Sequence, residues 1–133
     1  AGGHGAGQAA KICNNMLLGA TMIATCESFQ LAKKLGLDAQ VFFDIASNAS
    51  GQTWSMTTYC PVKGVGPQSP ADNDFAGGFA SALMLKDLGL AMQGAKGVNA
   101  QVPMGELAAK WFEMHCDEGN AGMDFSSIIN RLA

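Results

Sequence analysis

Charge is what this chain has least of. Lys and Arg together number eight, Asp and Glu eleven, and charged residues make up 14% of the sequence, against about a quarter in an ordinary soluble domain. There is no basic run and the formal net charge is −3, so nucleic acid is not an expected partner. No apolar stretch reaches the ~20 residues that span a bilayer. No basic segment precedes an apolar core at the start, as a secretory signal requires. The chain is therefore expected to be neither membrane-embedded nor secreted. The cysteines, Cys13, Cys26, Cys60 and Cys116, form no C-x-x-C and no ligand spacing with His4 or His115. They are expected to be reduced and mostly buried thiols, with no metal site. Cys13 and Cys26 would lie about 20 Å apart on one helix, too far for a disulfide. Proline is missing before Pro61, and no segment alternates convincingly as a strand would.

What is present is apolar and small. Hydrophobic residues make up 48% of the chain and glycine occurs seventeen times, which suggests closely packed helices. A length of 133 residues suits one domain with a real core. The fold class expected is all-α, a bundle of five to seven helices around one long N-terminal helix. That helix should run from about Gln8 to Leu35, roughly 40 Å. Lys11 is its first charge and Glu27 the next. Lys11, Asn15, Leu18 and Met22 fall at i, i+4, i+7 and i+11, which is one face. An ammonium and a carboxamide thus head a stripe that continues as hydrocarbon. Two readings stand side by side: a solvated surface lysine, or an ammonium held at a cleft. Asn14 and Asn15 are open to the same choice.

The head of the chain also carries a decoy. Gly5-x-Gly7-x-x-Ala10 matches the dinucleotide fingerprint, with Glu27 near the place of the ribose-binding acid. The context fails, because no strand precedes Gly5 and Glu27 lies within a helical pattern. The glycines are instead expected to let a ligand or neighbouring domain approach a helix N-terminus. Lys33, Lys34 and Gly36 should end the first helix. Asp38 should cap a second, with Val41, Phe42, Ile45 and Ala46 as its apolar face. A short helix over 53–60 precedes a proline-rich loop at 61–70, of a length that is usually functional or mobile. Trp54 and Tyr59 are expected to pin the start of that loop to the core, a substrate-facing Trp54 being the alternative. A helix over 79–96 should carry two apolar faces, Phe79, Leu83, Lys86, Leu90 and Met84, Leu88, Ala91, Ala95. Lys86 interrupts the first, either snorkelling, paired with Asp87 or another carboxylate, or in a functional role. Pro103 should open a helix reaching Glu118, with His115 packed rather than ligating. Asp124 should cap the last helix.

The block Gly5-x-Gly7-x-x-x-Lys11-x-x-Asn14-Asn15 resembles the start of the C-terminal domain of the β-hydroxyacid dehydrogenases. In that family a lysine and an asparagine near the head of a long interdomain helix form the active site. The block from Gly78-Phe79 through Leu85-Lys86-Asp87-Leu88 to Ala91 resembles the family's second signature, whose lysine contacts the nicotinamide cofactor. Ser50-Gly51-Gln52-Thr53-Trp54-Ser55, Tyr59-Cys60-Pro61-Val62-Lys63-Gly64 and Asp124-Phe125-Ser126-Ser127 resemble a narrower branch. That branch oxidises 3-hydroxyisobutyrate to methylmalonate semialdehyde with NAD, in valine breakdown. The resemblance covers the whole chain.

The resemblance implies that residues 1–133 form a C-terminal substrate and dimerisation domain, and that an N-terminal dinucleotide-binding domain is absent. Lys11 would be the acid–base group. Asn15, on the Lys11 face, or Asn14 would contact substrate, and Lys86 with Phe79 would contact the cofactor NAD. The partners implied are a small 3-hydroxy acid, the dinucleotide-binding domain and a second copy in a homodimer or larger homo-oligomer. The implied location is cytoplasmic in a bacterium or the mitochondrial matrix in a eukaryote. Tartronate semialdehyde or a related short 3-hydroxy acid would keep the mechanism and change the substrate. A reading from another class is a non-catalytic helical dimerisation module.

Overall fold

The computed structural model describes residues 4–133. Five α-helices follow in order: α1 His4–Lys34, α2 Ala39–Ala46, α3 Trp54–Thr57, α4 Ser81–Gly97 and α5 Pro103–His115. Two 3₁₀ helices, Pro70–Asn73 and Phe125–Leu132, and a π-type turn over Cys116–Asn120 complete the regular structure. Among the described residues there is no strand, only an isolated bridge between Ala80 and Asp124. The all-α expectation therefore holds. Gly5 and Gly7 lie inside α1 rather than ahead of it, and a Cβ on either would meet open space. Within the described residues they admit no close neighbour, and a helix in place of a strand and turn removes the dinucleotide fingerprint.

α1 is the axis of the bundle. Met22, Cys26 and Phe29 recur at helical spacing and are buried, facing the fully buried Met84 and Leu88 of α4 and Phe112 of α5. Each such side chain contributes roughly 1.5–3 kcal/mol on burial. Two glycines set the helix spacing. A Cβ on Gly19 would lie 3.1 Å from Met84 Sδ, and one on Gly105 would lie 2.6 Å from Met16 Sδ. α1 ends as its sequence dictates, with Gly36 at φ 84° and the Leu37 N–H bonded back to the Ala32 carbonyl at 2.9 Å. Asp38 then caps α2 through the N–H groups of Gln40 and Val41.

Several expected faces turn differently. On α2 only Ala46 is buried, and Phe42 packs edge-on to Phe29 at 5.0 Å. Val41 and Ile45 are 45% and 59% exposed, because an eight-residue helix lying on α1 has room to bury one side only. α4 starts at Ser81, so Phe79 is not on it. Its Met84, Leu88 and Ala91 face is buried as expected, whereas Leu83, Lys86 and Leu90 form an exposed face. α5 stops at His115, short of Glu118, and the chain opens into the π-type turn, where Gly119 has φ 98°. Cys26 and Cys60 are buried, but Cys13 is exposed.

The proline-rich loop is held by one carboxylate. Asp72 accepts from the N–H of Gly64 at 2.7 Å and of Ser69 at 2.9 Å, and the Ser69 hydroxyl donates to the Cys60 carbonyl. These two N–H bonds hold the Asp72 carboxyl below the usual carboxylate range. A second carboxylate, Asp124, is fully buried. Its Oδ1 accepts from the Tyr59 hydroxyl at 2.6 Å and the Phe79 N–H at 2.7 Å. Its Oδ2 accepts from the Ser126 N–H at 3.0 Å and from the Ser126 hydroxyl. Burial, then the bond to Asp124, pushes the Tyr59 hydroxyl well above its ordinary pKa. Gly78, at φ 70°, passes so close that a Cβ would strike Asp124 Oδ1 and sit 2.7 Å from the Tyr59 oxygen.

Two outcomes follow from this packing. Gly78→Ala combines a left-handed backbone with a clash against the buried Asp124 carboxylate and the half-buried Tyr59 hydroxyl. It is expected to lower stability by about 2–4 kcal/mol in urea denaturation. His115 is buried, with Nε2 2.7 Å from the Ser127 hydroxyl. Burial, and then Arg131, lowers its pKa below the ordinary value. The unfolded chain therefore binds the extra proton first, near pH 6.5. Stability is full above that pH and declines as pH falls through it. A urea midpoint that drops between pH 7 and 5, with the drop reduced in His115→Asn, is the expected result.

Candidate functional site

The first turns of α1 carry the Lys11 stripe from solvent to core. Lys11 is exposed, Asn15 and Leu18 are half-buried and Met22 is fully buried. Asn14 and Asn15 lie one turn beyond Lys11, with Cβ atoms about 5–6 Å from its own. The two carboxamides face different neighbours. Asn15 Nδ2 donates to Asp87 Oδ2 on α4 at 2.7 Å, and Asn15 Oδ1 accepts from Asn14 Nδ2 at 3.1 Å. α4 runs antiparallel to α1 here, since Asn15 meets Asp87 and Gly19 lies against Met84 and Leu88.

Asp87 is the residue that sequence reasoning missed in this role, treating it only as a possible partner of Lys86. It is Asn15 that takes its carboxylate. Lys86, next in sequence, is exposed, and no carboxylate is within ion-pair reach of it among the described residues. The signal available in the sequence was an acidic side chain next to Lys86, on a helix whose spacing offers two apolar faces. Phe79 is not part of this group. It precedes α4, half-buried, edge-on to Phe125 at 5.6 Å, with its N–H on Asp124.

Asn14 opens onto a cleft of about 550 Å³ between α1 and the start of α3. Leu17, Leu18 and Thr21 form one wall and Gln52, Thr53 and Trp54 the other. Thr53 fixes that second wall, its hydroxyl capping the Met56 N–H at 3.2 Å and meeting the Thr25 hydroxyl of α1 at 2.8 Å. Trp54 does not pin the loop to the core. It is 51% exposed and stacks on Tyr59 with ring centres 5.0 Å apart, and Tyr59 alone reaches the buried Asp124. Trp54 lines the cleft instead, a position that the alternative, a substrate-facing role, would require.

Lys11 and Asn15 do not line that cleft; of the three grouped residues only Asn14 does, and it is tied to Asn15 by its side-chain bond. The Lys11 ammonium and the amides can hold a hydroxyl, carbonyl or carboxylate oxygen. Leu17, Leu18 and Trp54 can cover apolar surface.

A family model described as NAD-binding of NADP-dependent 3-hydroxyisobutyrate dehydrogenase matches residues 5–132. The chain is 51% identical over 130 residues to 3-hydroxyisobutyrate dehydrogenase of Pseudomonas aeruginosa, covering 96% of this chain and 44% of that protein. It is 45% identical over 131 residues to the mitochondrial 3-hydroxyisobutyrate dehydrogenase of Homo sapiens, covering 98% of this chain and 39% of that protein. Among solved structures, 3-hydroxyisobutyrate dehydrogenase of Mycobacterium tuberculosis with L-serine superposes with a TM-score of 0.92 at 50% identity. That match covers 96% of this chain and 44% of the other. The chain thus spans less than half the length of these relatives.

The exposure of Trp54 can be checked directly. Of the two tryptophans, Trp111 is half-buried beneath the Arg131 guanidinium, 5.5 Å from its ring centre. Acrylamide quenching is expected to act chiefly on Trp54, and Trp54→Phe to remove most of the quenchable emission. Equal quenching in that variant would place Trp54 elsewhere.

Proposed function

This chain belongs to the 3-hydroxyisobutyrate dehydrogenase NAD-binding family, and on that premise we propose that it is the C-terminal helical domain of an NAD-dependent dehydrogenase of short 3-hydroxy acids. The reaction proposed is oxidation of 3-hydroxyisobutyrate to methylmalonate semialdehyde, a step of valine breakdown. The observation that carries this reading is the placement of Lys11 one turn from a carboxamide that Asp87 holds at 2.7 Å.

Lys86 would be this chain's contact to NAD, which would supply the hydride acceptor for the hydroxymethyl carbon as it becomes the aldehyde. The rest is work for side chains. Lys11 takes the hydroxyl proton in oxidation and returns it to the carbonyl oxygen in reduction. A lysine acts as base in its neutral form, which a desolvated cleft favours. Lys11 is exposed here, so its dehydrating wall belongs to a unit outside the described residues, the dinucleotide-binding domain. Asn15 holds the substrate oxygen without adding charge, and Asp87 is its positioning residue, fixing which end of the amide faces Lys11. Asn14 is the alternative substrate contact, from the cleft side. Leu17, Leu18 and Trp54 suit the methyl group of 3-hydroxyisobutyrate better than the extra hydroxyl of a tartronate-type acid.

The residues here fit one flank of a nicotinamide cofactor rather than its cradle. The exposed Lys86, with no carboxylate in ion-pair reach among the described residues, can bring positive charge near the cofactor or the substrate carboxylate, and Phe79 has less reach, being tied to Phe125 and Asp124. No strand leads into a glycine turn among the described residues, so the pyrophosphate site is assigned to the other domain. The second copy of a homodimer is proposed to lie on exposed apolar helix surface such as Leu31 and Leu107, 60% and 53% exposed. No helix of the described residues is long and apolar enough to cross a membrane. The Drosophila melanogaster and human relatives are named mitochondrial. We place this chain in the matrix if its source is eukaryotic and in the cytoplasm if bacterial.

The chain alone is expected to turn over no 3-hydroxyisobutyrate. In the enzyme joined to its dinucleotide-binding domain, Lys11→Ala should lower kcat by about 10²–10⁴, the usual worth of a positioned proton-transfer group. Lys11→Arg should rescue poorly, because guanidinium stays protonated. Asn15→Ala should chiefly raise KM for the hydroxy acid, and Lys86→Ala should raise KM for NAD. Steady-state kinetics against pH, with folding checked by circular dichroism, measures all four. A Lys11→Ala enzyme keeping more than about a tenth of the wild-type kcat lies outside the range for a proton-transfer group and ends the assignment.

A further inference from the structure

A second cleft lies at the opposite end of α1 from Lys11. Its volume is about 710 Å³, and it is bounded by the last turns of α1, the start of α2, residues 61–63, Phe75 and the C-terminal 3₁₀ helix. Lys33 lies twenty-two residues beyond Lys11, about 33 Å along the helix axis. The Asn14 and Trp54 cleft reaches no further along α1 than Thr21 and this one starts at Phe29, and no residue lines both.

The lining is divided in its chemistry. Phe29 and Ile129 are buried, and with Val62 and Phe75 they make a hydrocarbon floor. Lys33 and Lys63 supply two ammonium groups at the rim, and Asn130 adds an exposed amide. The one acidic residue in the lining, Asp38, caps α2 through a single oxygen, Oδ2, at 3.0 Å from the Gln40 N–H and 3.2 Å from the Val41 N–H, so the lining holds two ammonium groups against one carboxylate. Lys33 has no carboxylate within ion-pair reach among the described residues, and Lys63 meets Asp74 at 3.6 Å with both side chains largely exposed. Such a pair holds weakly, so a ligand anion can displace Asp74.

The backbone at the floor is strained. Phe75 has φ 63°, and Asp74 before it has φ 53°, a region bulky residues rarely occupy. The Phe75 N–H is held by the Pro70 carbonyl at 2.8 Å and its carbonyl by the Asp124 N–H at 2.9 Å. The Phe75 backbone is thus held on both sides, and its side chain lies in the cleft lining. Strain of this kind is kept where the surroundings over-determine it, often at ligand sites.

We propose that this cleft binds an amphipathic monoanion, a carboxylate with a short acyl chain. The carboxylate lies between Lys33 and Lys63 and the chain lies over Phe29, Val62 and Phe75. Neither charge nor hydrocarbon alone satisfies the lining. A phosphate would leave the floor wet, and an alkylammonium would face two like charges.

The test is a titration of the ¹⁵N-labelled chain with octanoate, octylammonium and inorganic phosphate, followed by amide chemical shifts. Octanoate is expected to shift Lys33, Leu37, Lys63 and Phe75 saturably, and the other two probes are not. Lys33→Gln combined with Lys63→Gln is expected to weaken octanoate at least about tenfold, as for the loss of charge-assisted bonds, with the circular dichroism spectrum unchanged. Equal binding of octylammonium or phosphate would overturn the proposal. So would octanoate shifts confined to the Asn14 and Trp54 cleft, or no saturable shift at all.

Discussion

The buried carboxylate of Asp124 is the constraint on which the rest of the domain depends. An ionised carboxylate taken out of water costs several kcal/mol unless it is surrounded by donors. Asp124 has four: the Tyr59 hydroxyl, the Phe79 N–H, and the N–H and hydroxyl of Ser126. Those donors come from three parts of the chain that no helix joins. The loop before α4, the segment after α3 and the C-terminal 3₁₀ helix are brought to one point, and backbone bonds from Ser81 to Met123 and from Phe125 to Phe79, each 2.7 Å, close around it. Removing any one donor leaves the charge poorly solvated, so the cost is set by the carboxylate and not by the bond lost.

That cluster does for the C-terminal half what α1 does for the whole. α1 offers a long apolar stripe, and α4 and α5 pack against it through the close approaches allowed by Gly19 and Gly105. Those close approaches set the distance and register of the helices, and directional polar bonds reinforce them at two points. The Asp124 cluster fixes the N-terminus of α4, and the Asn15–Asp87 bond fixes its second and third turns. Between them they tie α4 to the loop before it and to α1, beside the packing of Met84 and Leu88 on Gly19.

The sequence was legible wherever a local rule decided the outcome. Gly36 ended α1, Asp38 capped α2, Asp124 capped the last helix and the Met84, Leu88, Ala91 spacing marked a buried face. It was illegible where the outcome depended on which of two apolar faces met a partner. Val41 and Ile45, and Leu83 and Leu90, have the same periodicity as buried residues and are exposed. Trp54 was misread for a related reason: its bulk suggests a core anchor, but it is Tyr59, stacked on Trp54, that packs on Phe125 and donates to Asp124. At the candidate site, Lys11, Asn14 and Asn15 could be grouped from helical spacing. That Asn15 turns to Asp87, seventy-two positions away, needed the antiparallel packing of α1 on α4.

Stability and site geometry are therefore coupled through α4. Phe79, held by Asp124, and Asp87, holding Asn15, are eight residues apart, about 12 Å if the stretch were helical throughout. α4 begins within that stretch and is a rigid rod from Ser81 onward. A shift at its N-terminus moves the Asp87 carboxylate with it, and so the amide beside Lys11. A charge-assisted hydrogen bond of the Asn15–Asp87 kind is worth roughly 1.5–3 kcal/mol, enough to hold one amide orientation but not to resist displacement of the helix that carries its acceptor. Misplacement by about 1 Å is enough to cost a reaction two orders of magnitude. The orientation of Asn15 is consequently a property of the Asp124 cluster as much as of the residues that surround Lys11.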